Sequence, residues 1–297
     1  MVLKAEDLKS LHKTAVQAAY KAGEVLVNYD RTKLKVDEKE GASSRASEVV
    51  TEVDLLCQET IVQELIPSIK EYDFALLTEE TADDQSRFAK DYFWCVDPID
   101  GTLPYIENRP GYSIVISLIS QSGEALIGVI YDPLEQVVYS AIKGMGAYKN
   151  SVSWSRNPVC ANRNTEALAF VFDRSFYTDE RYADVVAILK KHSETAGFRG
   201  VKEVQYGGAA MNAMWLAQQY KGCYFKFPQK KGGSIWDYAA SNCIYNELNL
   251  PVSDIYGENM DLNRKESTHI NHKGILYATD ESLKKTVIKL HKNLNSD

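Results

Sequence analysis

The chain has 297 residues, of which 44% are hydrophobic and 25% charged, an ordinary composition for a globular protein with a substantial core. Its formal net charge of -7 argues against a nucleic-acid polymer as partner, because proteins that bind such polymers usually carry a basic surplus. The N-terminus lacks the apolar segment of a signal peptide, and no apolar run reaches the roughly 18 residues of a membrane span, so we expect neither export nor membrane insertion.

The first part of the chain predicts two helices separated by a polar loop. Apolar residues recur at helical spacing in the N-terminal segment: Leu8, Leu11, Ala15, Ala19, Ala22 and Leu26. The polar segment 37–48 has no periodicity and is expected to be a surface loop. A second helix is predicted to begin near Thr51 and to end at Pro67, with an apolar stripe made of Val53, Leu56, Thr60, Ile61 and Leu65.

From Asp73 onwards the pattern changes to short apolar runs of strand length. These runs read FALLTEE, YFWCVDP, YSIVISLIS, ALIGVIYDP and QVVYSAI, and SQSGEA between two of them predicts a hairpin connection. Beyond Asn150, predicted strands (ALAFVFD, GCYFKF, GILYATD) alternate with four predicted helices. We therefore expect an N-terminal α+β lobe over residues 1–155 and a C-terminal α/β lobe over residues 156–297, working as one functional unit.

The five cysteines are scattered and form no C-x-x-C pair: Cys57, Cys95, Cys160, Cys223 and Cys243. An odd number of separated cysteines, some of them within apolar runs, indicates reduced, buried thiols. We expect a cytoplasmic protein.

The segment Tyr92–Tyr105, YFWCVDPIDGTLPY, places two aspartates close together after an apolar run. Pro98 has no N–H group for a sheet ladder, so the strand is expected to end there and Asp97 and Asp100 to lie in a loop. Two carboxylates this close repel each other, and a divalent cation such as Mg2+, which prefers oxygen ligands, removes the repulsion. A simple turn capped by aspartates explains these residues equally well.

Three further acidic positions adjoin strongly apolar sequence. Glu79 follows a predicted strand, Asp54 lies in the second predicted helix, and Asp237 lies at the start of a later helix, next to a tryptophan. Such positions suit a metal site built from several carboxylates, although spacing alone does not bring them together. Gly101 and Thr102 form a tight turn whose N–H groups could face an anion if a helix begins there.

Four segments in this order, VTEVD (50–54), TEE (78–80), DPIDGT (97–102) and WDYAA (236–240), resemble the inositol monophosphatase superfamily of Mg2+-dependent, lithium-sensitive phosphatases. The resemblance runs from about Thr51 to the last predicted strand. It implies a layered α-β-α-β-α sandwich of the inositol monophosphatase and fructose-1,6-bisphosphatase type. It also implies a small phosphorylated metabolite as substrate, attacked by a metal-activated water, and a homodimer.

Transferred position by position, the resemblance implies two Mg2+ ions. Glu79, Asp97 and the main-chain carbonyl of Ile99 would hold the first ion, and Asp97, Asp100 and Asp237 the second. Glu79 would also contribute to a third, more weakly held ion.

The resemblance also implies the residues that act on the attacking water. Thr102 with Asp54 would orient and deprotonate it, and Glu79 completes the set of predicted catalytic residues. The predicted substrate contacts are Asp100, Gly101, Thr102, Gly207, Gly208, Lys230 and Asp237.

Two departures from the inositol monophosphatase pattern bear on the substrate. That pattern continues DGT with Thr-Asn-Phe, where this chain has Leu103–Tyr105, and it places a glutamate seven residues before the aspartate of WD, where this chain, counted without gaps, has Lys230. A lysine at this position favours a second negative group on the substrate. Gly207 and Gly208 would allow close approach of a ribose or inositol ring.

These departures favour a 3'(2'),5'-bisphosphate nucleotidase, which converts 3'-phosphoadenosine 5'-phosphate to AMP and phosphate. The alternatives are an inositol-1-monophosphatase, a sugar phosphatase of the fructose-1,6-bisphosphatase kind, and a catalytically silent relative that binds a phosphorylated ligand.

Overall fold

The computed structural model describes residues 2–33, 36–38, 49–156, 166–204 and 207–294; of residues 33, 36–38 and 49–51 it describes only the backbone. The described residues form seven α-helices, which are α1 (Ala5–Asn28), α2 (Glu52–Tyr72), α3 (Thr102–Ile106), α4 (Tyr182–Thr195), α5 (Ala209–Ala217), α6 (Ile235–Glu247) and α7 (Glu281–Leu294). The strands are β1 (Val36–Glu38), β2 (Val49–Thr51), β3 (Ala75–Thr78), β4 (Tyr92–Asp100), β5 (Ser113–Ser120), β6 (Ala125–Asp132), β7 (Val137–Ile142), β8 (Gly146–Lys149), β9 (Val152–Trp154), β10 (Leu168–Val171), β11 (Val201–Val204), β12 (Gly222–Lys226), β13 (Val252–Ser253) and β14 (Ile275–Ala278).

The strands form two large sheets and one short hairpin. The first sheet has seven strands in the order β3-β4-β5-β6-β7-β8-β9, and its pairs are antiparallel except for the parallel pair β3–β4. The second sheet has five strands in the order β11-β10-β12-β14-β13, with β10 parallel to both of its neighbours. Strands β1 and β2 pair with each other in an antiparallel sense.

Helices cover both sheets in alternating layers. Helices α1 and α2 pack on one face of the seven-stranded sheet, and α5 and α6 fill the space between the two sheets. Helices α4 and α7 cover the outer face of the five-stranded sheet. Three clusters of buried apolar side chains fill the layer boundaries: one under α1 and α2, one around α5 and α6 that reaches both sheets, and one under α4 and α7. The predicted five-layer α-β-α-β-α sandwich is therefore confirmed, whereas the division at residue 155 stays a prediction.

The first predicted helix is confirmed as α1, and the predicted apolar positions face the sheet. Leu11, Ala15, Ala19, Ala22 and Leu26 are buried. Small alanine side chains allow the helix axis to approach its neighbours closely, and α1 packs against both α2 and β6.

The prediction that Pro67 ends the second helix is wrong, because α2 continues to Tyr72. Pro67 lies on the exposed face, so water can satisfy the carbonyl that loses its helical partner. The residues beyond it are held by the core: Ser68 is buried and accepts a hydrogen bond from Trp94 Nε1 at 3.0 Å. The predicted stripe is also wrong at Leu56, which is 39% exposed, while Cys57 is buried in its place.

The prediction that the strand of the DPIDGT segment ends at Pro98 is also wrong. Strand β4 continues to Asp100, with Asp97 opposite Val115 and Asp100 opposite Ser113, so one extra residue lies on the β4 side. This is a β-bulge, in which an unpaired residue needs no ladder N–H, and a proline is therefore tolerated.

Several smaller predictions can be compared with the described residues. The SQSGEA hairpin joins β5 to β6, with Gly123 N donating to Ser120 O at 2.9 Å. The predicted loop over 37–48 lies mostly outside the described residues. Four cysteines are confirmed as free and buried, and Cys160 lies outside the described residues. None of the described helices combines the length and the apolar character that crossing a membrane requires.

Candidate active site

Parallel pairing of β3 and β4 places the first two acidic residues side by side. Thr78 is the register partner of Val96, so the residues that follow, Glu79 and Asp97, lie next to each other at the same edge of the sheet. Glu79 N donates to Val96 O at 3.1 Å, which fixes this end of the strand. Asp97 is 1% exposed, and its Oδ1 accepts a hydrogen bond from Ile99 N at 3.0 Å.

The bulge in β4 turns Asp100 towards the start of α5. Both of its carboxylate oxygens accept main-chain hydrogen bonds, from Ala209 N at 2.9 Å and from Ala210 N at 2.8 Å. Gly208 precedes these residues, and a Cβ atom there would lie 2.5 Å from Asp100 Oδ2. Glycine is therefore required at position 208 by the close approach of the carboxylate.

Asp237 reaches the same place from the N-terminus of α6. It is the third residue of that helix, and its Oδ2 accepts a hydrogen bond from Ser234 N at 2.7 Å in a capping box. One carboxylate oxygen from each of Asp97, Asp100 and Asp237 lies within 4.8 Å of the others. The structure thus brings together the acids predicted from the DPIDGT and WD segments.

Burial and mutual repulsion make these carboxylates difficult to ionise together. Burial raises the pKa of Asp97 well above its ordinary value, and the charges of Glu79, Asp100 and Asp237 raise it further. Burial and Asp237 raise the pKa of Asp100 to about 8, although the amides of Ala210 and Ala209 oppose the shift. Burial and Glu79 raise the pKa of Asp237 to about 6.

A divalent cation fits this group of residues. The donors are carboxylate oxygens, with the Ile99 carbonyl nearby, and oxygen donors are the ligands that Mg2+ prefers. A bound cation would also offset the repulsion that raises the pKa values of the three aspartates.

Thr102 and Asp54 form a second polar pair beside the aspartates. Thr102 begins α3, and its Oγ1 lies 3.4 Å from Asp54 Oδ1 and 3.2 Å from the carbonyl oxygen of Ile99. Asp54 is fully buried and Thr102 is 8% exposed. The predicted association of Thr102 with Asp54 is therefore present in the structure, and Thr102 also contacts the Ile99 carbonyl that was predicted as a metal ligand.

The glycines predicted to contact substrate have structural reasons for being glycine. Gly101 has a φ of 91°, and a Cβ atom there would lie 2.7 Å from Gly111 O. Gly207 leaves room for Asn212, whose Oδ1 would lie 2.7 Å from a Cβ atom at position 207. Their contacts with substrate stay predictions.

The two departures from the family pattern lie in different environments. Tyr105, in the segment that replaces Thr-Asn-Phe, is fully buried and packs edge-to-face on Tyr112 with ring centroids 5.2 Å apart. Arg31 Nη1 donates to the Tyr105 carbonyl at 2.6 Å. Tyr105 therefore serves packing. Lys230 is exposed on the connection between β12 and α6, and its contact with substrate stays a prediction.

Sequence reasoning missed a polar cluster next to the acids. Lys226 forms an ion pair with Asp173, and the Asp173 carboxylate also accepts hydrogen bonds from Tyr224 and Asn212. The signal available in the sequence was a charged residue at or next to the end of each of two apolar runs, ALAFVFD and GCYFKF.

A cavity of about 390 Å³ adjoins Glu79. Its lining contains Leu77, residues 79–83, Trp236 and Thr268. Glu79 therefore adjoins both the buried Asp97 and a space accessible to water.

The fold and site can be compared with known proteins. The sequence pattern of the Inositol monophosphatase family matches residues 7–296. Nus factor SuhB of Haemophilus influenzae is 29% identical over 245 residues, which cover 81% of this chain and 83% of that protein. The inositol-1-monophosphatase of Bacillus subtilis is 28% identical over 220 residues, which cover 72% of this chain and 76% of that protein. A solved structure of an IMPase/NADP phosphatase with NADP and Ca2+ has a TM-score of 0.75 at 20% identity and covers 100% of this chain and 98% of that one.

A layered fold that brings buried carboxylates and a threonine together defines this protein as a metal-dependent phosphoric monoester hydrolase. More particularly, the chain belongs to the inositol monophosphatase family, whose members depend on Mg2+.

Proposed function

We propose that the chain hydrolyses a phosphate monoester whose leaving group carries a second negative group, as a 3'(2'),5'-bisphosphate nucleotidase does. The main support for this reaction is that Asp97, Asp100 and Asp237 lie close together beside the Thr102–Asp54 pair. In this proposal the physiological reaction converts 3'-phosphoadenosine 5'-phosphate to AMP and phosphate.

Glu79, Asp97, Asp100, Asp237 and the carbonyl of Ile99 would hold Mg2+, as two ions with a third more weakly held. When bound, Mg2+ neutralises the charge of the phosphoryl oxygens and lowers the pKa of a coordinated water. The chain's own contribution is to keep the oxygen donors fixed, with Asp97, Asp100 and Ile99 removed from bulk water, which strengthens their electrostatic interactions.

Thr102 and Asp54 would position and deprotonate the attacking water. A threonine hydroxyl has one proton and two lone pairs. If Thr102 donates its proton to Asp54 or to the Ile99 carbonyl, it can still accept a hydrogen bond from water and so fix its orientation. The buried Asp54 carboxylate is then the acceptor for the proton that the water loses.

The proposal of a second negative group rests on the basic residues on the C-terminal side of the site. Lys230 and Lys231 lie in the connection that leads into α6, shortly before Asp237. A lysine ammonium suits a second phosphate, whereas a carboxylate suits the hydroxyl groups of inositol.

Inositol-1-monophosphatase activity is the second candidate. The Bacillus subtilis relative, named for that activity, supports it at 28% identity. The fold alone does not separate the two candidates, because IMPase/NADP phosphatase structures have been solved both with D-inositol-1-phosphate and with NADP.

The test is phosphate release in the presence of Mg2+ from 3'-phosphoadenosine 5'-phosphate, inositol 1-phosphate and fructose 1,6-bisphosphate, compared by kcat/KM. We expect the nucleotide to be preferred, and the Asp97→Asn variant to release no phosphate from any of the three. A preference for inositol 1-phosphate would establish the second candidate. No release from any substrate would point to a silent ligand-binding relative, and wild-type-like turnover by Asp97→Asn would refute the proposed metal site.

A further inference from the structure

Two parallel strands of the five-stranded sheet end beside the carboxylates. Val171 of β10 is the register partner of Tyr224 of β12, so two residues further on Asp173 and Lys226 lie at the same sheet edge. Ligands of α/β proteins commonly bind outside the carboxyl ends of parallel strands, because the side chains that follow those ends point into a shared crevice.

Asp173 holds the Lys226 ammonium in place. One carboxylate oxygen of Asp173 pairs with Lys226 Nζ. The other accepts hydrogen bonds from Tyr224 OH at 3.1 Å and from Asn212 Nδ2 at 3.2 Å. Asn212 belongs to α5, the helix whose first amides bind Asp100. The ion pair is therefore connected through one helix to the carboxylate cluster.

Lys226 lies close enough to act on the site electrostatically. Its Nζ is 5.4 Å from the ring centroid of Tyr238, the residue after Asp237. Burial raises the pKa values of Asp100 and Asp237, and the positive charge of Lys226 opposes the rise at both. Burial also disfavours the charged form of Lys226, but Asp173 and Tyr238 together outweigh it and raise the pKa of the ammonium, which therefore stays protonated at physiological pH.

The ion pair is partly exposed to solvent. The side chain of Lys226 is 19% exposed and that of Asp173 is 27% exposed. An ammonium group has three N–H donors, and the pair with Asp173 does not use all of them. A substrate anion can thus reach Lys226 while Asp173 keeps the lysine oriented.

We propose that Lys226, oriented by Asp173, binds the second anionic group of the substrate and so selects bisphosphates over monophosphates. The inference rests on the proposed function and names the residue that carries its specificity. Lys226 takes the role that counting back from Asp237 without gaps had assigned to Lys230. Lys230 lies exposed on the segment between β12 and α6.

The experiment compares two substrates that differ only in the second phosphate, 3'-phosphoadenosine 5'-phosphate and adenosine 3'-monophosphate. Their ratio of kcat/KM is measured with Mg2+ for the wild type and for Lys226→Met, Lys226→Arg, Lys230→Met and Lys190→Met. Lys190 is an exposed lysine of α4, on the outer layer, and supplies the matched control. Both substrates are assayed with the same preparation of each variant. A loss of folded enzyme therefore lowers both kcat/KM values equally and cancels in their ratio.

In Lys226→Met we expect the ratio to fall about 10- to 100-fold, mainly through KM, since a charge-assisted contact is lost. Lys226→Arg should retain part of the preference, and Lys190→Met should keep the wild-type ratio. If the wild type strongly prefers the bisphosphate and Lys226→Met keeps that preference, the inference is overturned while the proposed function stands. If the preference is lost in Lys230→Met instead, Lys230 is the residue that binds the second phosphate. A wild-type ratio near one would overturn the proposed function together with the inference.

Discussion

The Thr102 hydroxyl has a chemical rather than a structural role in the proposed reaction, and the two roles can be separated. Its Oγ1 contacts Asp54 Oδ1 and the Ile99 carbonyl, while its methyl group packs in a buried environment. Thr102→Ala should lower kcat about 100-fold or more, because the water loses its orienting group. KM should change little, and stability should fall by only about 1 kcal/mol for one lost hydrogen bond. Steady-state kinetics and urea unfolding measure these quantities.

Thr102→Ser is the matched control, since it keeps the hydroxyl and removes only the methyl group. It should retain most of the activity lost in Thr102→Ala. Equal losses in the two variants would show that the methyl group, and hence packing, explains the effect.

At the scale of residues, the DPIDGT and WD segments allowed the carboxylates to be predicted, because their chemistry is local to the motif. Asp173 and Lys226 could not be predicted in the same way. They meet only because β10 and β12 are parallel neighbours, and pairing between distant strands leaves no local signal in one sequence. Lys230 was assigned by counting residues without gaps, and such a count cannot allow for a longer connection between β12 and α6.

At the scale of elements, α2 shows how tertiary packing overrides a helix breaker. Pro67 removes one helical hydrogen bond, yet Ile69 and Tyr72 beyond it pack against the core shared with α1 and the seven-stranded sheet. Pro67→Ala should therefore raise the free energy of unfolding by about 1–2 kcal/mol. The restored helical hydrogen bond stabilises the folded state, but alanine also gives the unfolded chain more conformational freedom, which reduces the gain. Chemical denaturation measures the change.

Gln63→Ala is the control for Pro67→Ala, since Gln63 is exposed one turn earlier on the same helix. Its effect should stay within about 0.5 kcal/mol. If Pro67→Ala proved neutral or destabilising, the proline would have to contribute a favourable bend that the packing of α2 requires.

Periodicity predicted the long helices and the apolar strands, because burial of one face leaves a regular pattern. It missed short strands such as β9 and β11, whose side chains are mostly exposed and therefore carry no apolar signal. The bulge of β4 was missed for a different reason. A proline normally indicates the end of a strand, and only the register with β5 shows that pairing resumes at Asp100.

At the scale of the whole molecule, the layers direct several helix N-termini at one point. Asp54 lies in the first turn of α2, Asp237 lies in the first turn of α6, and Asp100 accepts the first amides of α5. The positive ends of these helices stabilise negative charge, which explains how so many carboxylates can be buried together. The seven-stranded sheet supplies Glu79, Asp97 and Asp100, so the site depends on both the sheet and the inner helix layer.

Because the helix termini offset only part of the repulsion between the carboxylates, a bound cation should stabilise the whole fold. A ligand at about 100 times its dissociation constant adds about 2.7 kcal/mol to the free energy of unfolding. Saturating MgCl2 should therefore raise Tm by about 5 °C relative to the chelated protein. Differential scanning calorimetry measures the shift, and KCl at the same ionic strength controls for general screening.

Asp97→Asn should lose most of the Mg2+-dependent shift, because the central carboxylate ligand is gone. A shift of equal size with KCl, or one fully kept in Asp97→Asn, would mean that Mg2+ acts elsewhere on the surface and that the cluster of Asp97, Asp100 and Asp237 is not its binding site.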